Sequence, residues 1–128
     1  MSGAGQILAE TVIVALRAIE GLNNVYDGPP LTAAFPYAIV EAGAESDWSH
    51  KSGAGRELRL SILLRDKGER PARLRGLVAE IERVIMEIGA DLTSWRLVNL
   101  VFVREAMLRE TGAAWSAAID YRARLLKA

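Results

Sequence analysis

The sequence has no cysteine, a single histidine, three lysines and no surplus of either charge. Each shortage removes a class of function. Without thiols there is no disulfide framework, no thiolate-bound metal and no cysteine nucleophile. The one imidazole, His50, has no second nitrogen or sulfur ligand near it in sequence, so neither a structural nor a catalytic zinc site is expected. Sixteen basic side chains balance sixteen acidic ones, whereas a nucleic-acid binder normally carries a net basic field. No stretch comes near the roughly 18 uncharged apolar residues of a membrane span. The opening MSGAGQILAE has no basic region ahead of its apolar positions, and Glu10 and Arg17 interrupt the run. No signal peptide is expected, and the reading is of a soluble protein made in the cytosol.

What is present fits one domain over residues 1–128, since a chain of this size buries ~65–70% of the surface its unfolded form exposes. No linker, internal repeat or low-complexity tract divides it. The apolar share of 51% is slightly high for a small monomer, which suggests burial against other subunits. Thirteen of the sixteen basic residues are arginine. Codon usage in a GC-rich genome explains that preference, and the suitability of arginine for interfaces is the alternative.

Periodicity orders the elements. Ile7, Leu8, Val12, Ala15, Leu16 and Ile19 predict a helix over residues 6–21, whose extra apolar positions Ile13 and Val14 predict cover on two sides. Val25-Tyr26 is a brief edge segment, closed by the turn Asp27-Gly28-Pro29-Pro30. Pro36 opens a strand in which Tyr37, Ile39 and Glu41 face opposite to Ala38, Val40 and Ala42, and residues 46–55 read as a long polar loop with an exposed Trp48. From Arg56, Leu58, Leu60, Ile62 and Leu64 alternate with Glu57, Arg59, Ser61 and Arg65, as in a half-buried antiparallel strand. A second helix begins at Pro71 and ends by Ile88, with a stripe from Leu74 to Ile88. The strand from Trp95 to Arg104 is apolar on both faces, which predicts a central position or a covered second face. Met107 to Thr111 connect it to a last strand, Ala113 to Leu125. The fold class is α+β: an antiparallel sheet of about four strands with two main helices packed on one face, in the order helix-strand-strand-helix-strand-strand.

No motif carries chemistry. Asp47, Ser49 and His50 have the residue types of a nucleophile–base–orienter set, but adjacent loop positions without a nucleophile elbow rarely achieve that geometry. Ser52-Gly53-Ala54-Gly55-Arg56 lacks the following helix and Lys-Ser/Thr pair of a phosphate loop, so a flexible hairpin connection is the better account. Glu41 and Glu45 share a strand face in this reading and could form a carboxylate pair, but with no base or ligand beside them a solvated face is the better account. Arg96, Arg104, Arg122 and Arg124 could line a path for nucleic acid. An ordinary ion-paired sheet face, opposite Glu57, Glu105 and Asp120, is favoured.

Several segments, taken in order, resemble a known group. VYDGPP, FPYAIVEAG and DWSHKSGAGRELRLSILLR, preceded by an amphipathic helix and followed by a Pro-initiated one, are similar to the tail completion, or tail terminator, proteins of long-tailed phages and gene transfer agents. The matching marks are Tyr26-Asp27, Phe35-Pro36-Tyr37, Asp47-Trp48, the alternating strand from Glu57, and Tyr121-Arg122-Ala123. The likeness runs from about Leu8 to Leu125. It implies a lambda-type tail terminator fold and a homo-oligomeric, hexameric ring that caps the head-proximal end of the tail tube. Such a ring stops tube polymerisation and joins the tail to the head–neck connector, and DNA passes through its lumen without sequence-specific binding. The resemblance implies a non-enzymatic virion protein, assembled in the bacterial cytoplasm, with no cofactor, metal or membrane partner.

On that footing Asp47, Trp48, Ser49, His50, Lys51 and Arg56 are the expected contacts to tube or connector. Arg96, Arg104, Arg122 and Arg124 are expected at subunit interfaces or in the lumen. A head-completion or neck adaptor is the nearest alternative, and a small-molecule-binding or enzymatic α+β domain of a bacterial host is the alternative from another class.

Overall fold

Side-chain alternation in one strand sets the architecture. Leu58, Leu60, Ile62 and Leu64 of β3 (Gly55–Lys67) are almost wholly buried on one side, while Arg59, Ser61 and Arg65 line the other. The buried side receives two helices, α1 (Ala4–Leu16) and α2 (Ala72–Met86). Around β3 lie β1 (Asn24–Asp27), β2 (Tyr37–Asp47), β4 (Trp95–Arg109) and β5 (Ala114–Lys127), in the spatial order β1-β2-β3-β5-β4. This computed structural model describes residues 3–128; Met1 and Ser2, which open the stretch read for a leader, lie outside them.

The α+β class and the two helices on one face agree with the sequence reading, but the sheet has five strands and is mixed. Val25 and its neighbours form a true strand, paired parallel to β2 from Asn24↔Tyr37 to Asp27↔Val40. The remaining pairings are antiparallel. The free edge of β1 is blunted locally: the Arg17 guanidinium donates to the Val25 carbonyl at 2.9 Å, and the Val25 amide donates to Asn24 Oδ1 at 2.8 Å. An edge so occupied does not invite another strand.

One core cluster gathers α1, α2 and the inner faces of β1 to β5. In α1, Ile13 of the wide stripe is buried within the chain, while Val14 stays 70% exposed. Gly3 supplies no side-chain cap to this helix. The Glu45 carboxylate stands there instead, within 3.2 Å of where a Cβ on Gly5 would sit, a placement the positive end of the helix dipole favours.

Three expectations are corrected. A register shift between Ala42 and Glu45 carries β2 on to Asp47 and puts Glu41 and Glu45 on opposite faces, opposite Ser61 and Leu58 respectively. The shared face expected from strand parity is not found. Second, β4 extends through Met107, Leu108 and Arg109, which were expected in the connection. Third, β4 is not central but an edge strand. Shifts at Leu97/Asn99 and Phe102/Arg104 break its alternation, so Leu97, Leu100 and Phe102 face the helices while Val101 faces away, opposite Arg122. Its apolar character is left largely in solvent, with Phe102 half exposed.

Candidate docking site

The residues expected to make contacts lie on the hairpin between β2 and β3, which is shorter and better ordered than a polar loop of residues 46–55. Ser46 and Asp47 belong to β2, paired with Glu57 and Arg56. Beyond them the Trp48 amide donates to the Gly55 carbonyl at 2.9 Å. His50 and Gly53 exchange backbone bonds of 2.9 and 3.1 Å, so Lys51 and Ser52 form the tip. The backbone is a ladder almost to its end.

Side chains stiffen the root. Ser49 Oγ donates to Asp47 Oδ1 at 2.5 Å and accepts from the Gly55 amide at 3.1 Å. Its hydroxyl is thus held by a carboxylate and a backbone amide, while the His50 ring sits edge-on to Trp48 at 4.5 Å. The Asp47, Ser49 and His50 types are adjacent without forming a nucleophile–base relay. Arg56 lies 3.9 Å from Glu45 and 4.0 Å from Asp47. Trp48 was expected to be exposed but is half-buried, because the Arg124 guanidinium covers its ring at 5.3 Å. Cation–π contacts of this geometry are ordinary for arginine over tryptophan.

That contact joins the hairpin to the arginine set. Arg124 donates to Glu57 at 2.7 Å, and Arg122 lies 4.0 Å from the same carboxylate. Arg104 lies 3.9 Å from Asp120, which accepts a 2.8 Å bond from Ser61. The favoured ion-paired sheet face is present, with Glu57 and Asp120 as its acids. Glu105 is not among them, for it lies opposite Ile119 on the helix side. Arg96 is exposed at the edge and forms no ion pair among the described residues.

Sequence reasoning missed two further clusters. Arg65 donates to the Tyr37 hydroxyl at 2.7 Å and to Glu110, beside the Phe35 and Tyr37 rings. The Glu110 bond raises its pKa against the opposing effect of burial. The second is an apolar groove of about 470 Å³ between α2 and β4, lined by Met86, Leu100, Phe102, Tyr121, Glu82 and Arg83. Burial, and then the charge of Glu82, push the Tyr121 phenol up to about 12. The signal available for this groove was Met86, an apolar residue off the main stripe of α2. Among the described residues no helix is long and apolar enough to cross a membrane, and no group of three His, Cys, Asp or Glu side chains could hold a metal.

The family model for tail completion protein gp17 matches residues 10–126. The chain belongs to that family. This tail completion protein is therefore a virion component by kind, as the resemblance had implied. Its fold is similar to a chain of a solved structure described as the virion of a native gene transfer agent particle. The two are 28% identical with a TM-score of 0.75, over 98% of this chain and 99% of that one. No curated protein matches the sequence.

Proposed function

We propose that this tail completion protein acts as a ring-forming terminator at the head-proximal end of the tail tube, stopping polymerisation and joining the tail to the head–neck connector. The observation that carries the reading is the family match over residues 10–126, reinforced by the end-to-end likeness to a chain of a gene transfer agent virion. The role is one of shape and contact, not catalysis.

In this reading the β2–β3 hairpin, with Asp47, Trp48, Ser49, His50, Lys51 and Arg56, is the element that meets tube or connector. Its ladder holds Lys51 out from the sheet. The four arginines Arg96, Arg104, Arg122 and Arg124 serve subunit contacts or the lumen. With Arg104, Arg122 and Arg124 set against Asp120 and Glu57, such a surface lets DNA pass without holding it, since non-specific affinity grows with the number of free cations facing phosphates.

Replacing Trp48 with alanine tests the hairpin assignment. The fold is expected to survive, because the ring packs on Arg124 and His50 outside the core cluster. Electron microscopy of the particles should then show full heads and capped tails left unjoined. A normal yield of joined particles would remove the hairpin from the docking surface.

A further inference from the structure

The zero net charge conceals a strong polarity. Residues 1–47 carry six carboxylates (Glu10, Glu20, Asp27, Glu41, Glu45, Asp47) against one arginine, Arg17. Residues 95–128 carry six basic side chains (Arg96, Arg104, Arg109, Arg122, Arg124, Lys127) against three acidic ones. Sheet order sends these two segments to opposite edges, with α1, β1 and β2 at one and β5 and β4 at the other. Local pairing takes up part of this charge, Arg56 beside Glu45 and Asp47, and Arg104, Arg122 and Arg124 beside Asp120 and Glu57. The rest leaves one edge acidic, with Glu10, Glu20, Asp27 and Glu41, and the other basic, with Arg96, Arg109 and Lys127.

Apolar groups follow the same division. At the basic edge, Met86 stands 81% and Phe102 50% exposed over the groove, while Val98, Val101 and Val103 of β4 are left about 40% exposed, Val101 on the other side of the sheet. Scattered apolar residues need no explanation, but an apolar groove rimmed by exposed Met86 and Phe102 marks a contact surface. At the acidic edge, the connection from β1 to β2 carries Leu31, which is fully exposed, in the proline-rich turn after Asp27. The outer edge of β1 is already blunted by Arg17 and Asn24, so this end offers a side-chain knob and not a pairing strand. Four interstrand steps of about 4.8 Å separate the edges by roughly 19 Å. Leu31 cannot fill the groove of its own chain.

From these facts we infer that the α2–β4 groove receives the Leu31 turn of a second copy, head to tail, with the acidic edge of one subunit on the basic edge of the next. A knob and a hole on different edges make a heterologous contact, which generates a closed ring if the rotation closes and a filament if it does not. The inference deepens the ring reading above and rests on it for the partner being the same chain.

The absence of native cysteine makes the test clean. Leu31→Cys and Met86→Cys replace highly exposed side chains, so neither should disturb folding. A disulfide needs Cα atoms within about 7 Å, which within one chain the sheet width forbids. On mild oxidation the double variant should give a ladder of covalent species beyond the dimer, in assembled particles or in concentrated purified protein. Each single variant should give no covalent cross-link. Failure of the double variant to ladder in either preparation, or covalent dimers from a single variant, would overturn the head-to-tail contact. Should purified protein ladder while tails prove to lack the chain, the contact stands and the terminator reading falls. Tails that contain the double variant without cross-links mean the reverse.

Discussion

Gly55 has no room for a methyl group. A Cβ there would come within 2.3 Å of the Trp48 carbonyl oxygen and 3.0 Å of Leu126, so the hairpin closes only because the side chain is missing. Gly55→Ala should therefore cost about 1–3 kcal/mol, the range for forcing an extra group into a packed site. Urea denaturation checks this, and a red-shifted Trp48 emission should accompany it as the strands part. Read from sequence, the glycines near this residue suggested a flexible connection. Composition cannot distinguish a glycine that loosens a chain from one that lets two strands approach. Trp48 was misread for a related reason, since its cover, Arg124, lies far along the chain and no local pattern announces it.

Among the elements, β3 and α2 are tied by one buried charge. Asp66, 6% exposed in its side chain, accepts from Arg73 Nε at 2.8 Å and from the Lys67 amide at 2.7 Å. Burial is the largest single influence and pushes its pKa up. The Arg73 bond, the Lys67 amide and the Arg73 charge together outweigh burial, and the carboxyl ends below its ordinary 3.8. A folded pKa below the unfolded one contributes stability that is present above about pH 4 and is lost as pH falls through the folded value. Arg73→Ala should cost about 1 kcal/mol at neutral pH, a modest figure because Arg73 itself is mostly exposed. In that variant burial is left with less opposition, so the decline of stability below pH 4 should shrink or reverse. Denaturation midpoints collected from pH 2 to 7 measure it. Elements of strict period were legible in the sequence: β3, β5 and the stripe of α2. Four residues of β1 are too few to show a period, and Gly43-Ala44 hides the continuation of β2 behind loop-like composition. Two register shifts in β4 scramble its faces. Its apolar content suggested a central or covered strand, whereas within the chain it is an edge left largely in solvent.

For the whole molecule, a core cluster that draws on both helices and all five strands supports the proposal that residues 1–128 fold as one domain. Unfolding should then be a single cooperative transition by tryptophan fluorescence and circular dichroism alike, with a urea slope of about 1–3 kcal/mol/M. Two separated transitions would divide the chain. Membership of the family was legible only as an ordered set of short segments from Tyr26 to Ala123, none chemical alone. The proposed head-to-tail contact was not, because the polarity between the edges emerges only once the strand order is known.

The ladder of the β2–β3 hairpin also bears on the thermodynamics of assembly. A tip already fixed by paired backbone bonds, the Asp47–Ser49–Gly55 contacts and the Arg124–Trp48 stack has little conformational entropy left to lose on meeting a partner. Ordering a mobile segment costs about 0.5–1.5 kcal/mol for each immobilised side chain. The backbone share of that ordering is met during folding, so a partner docking at this tip, as proposed, would have mainly the exposed side chains of Lys51 and its neighbours left to order.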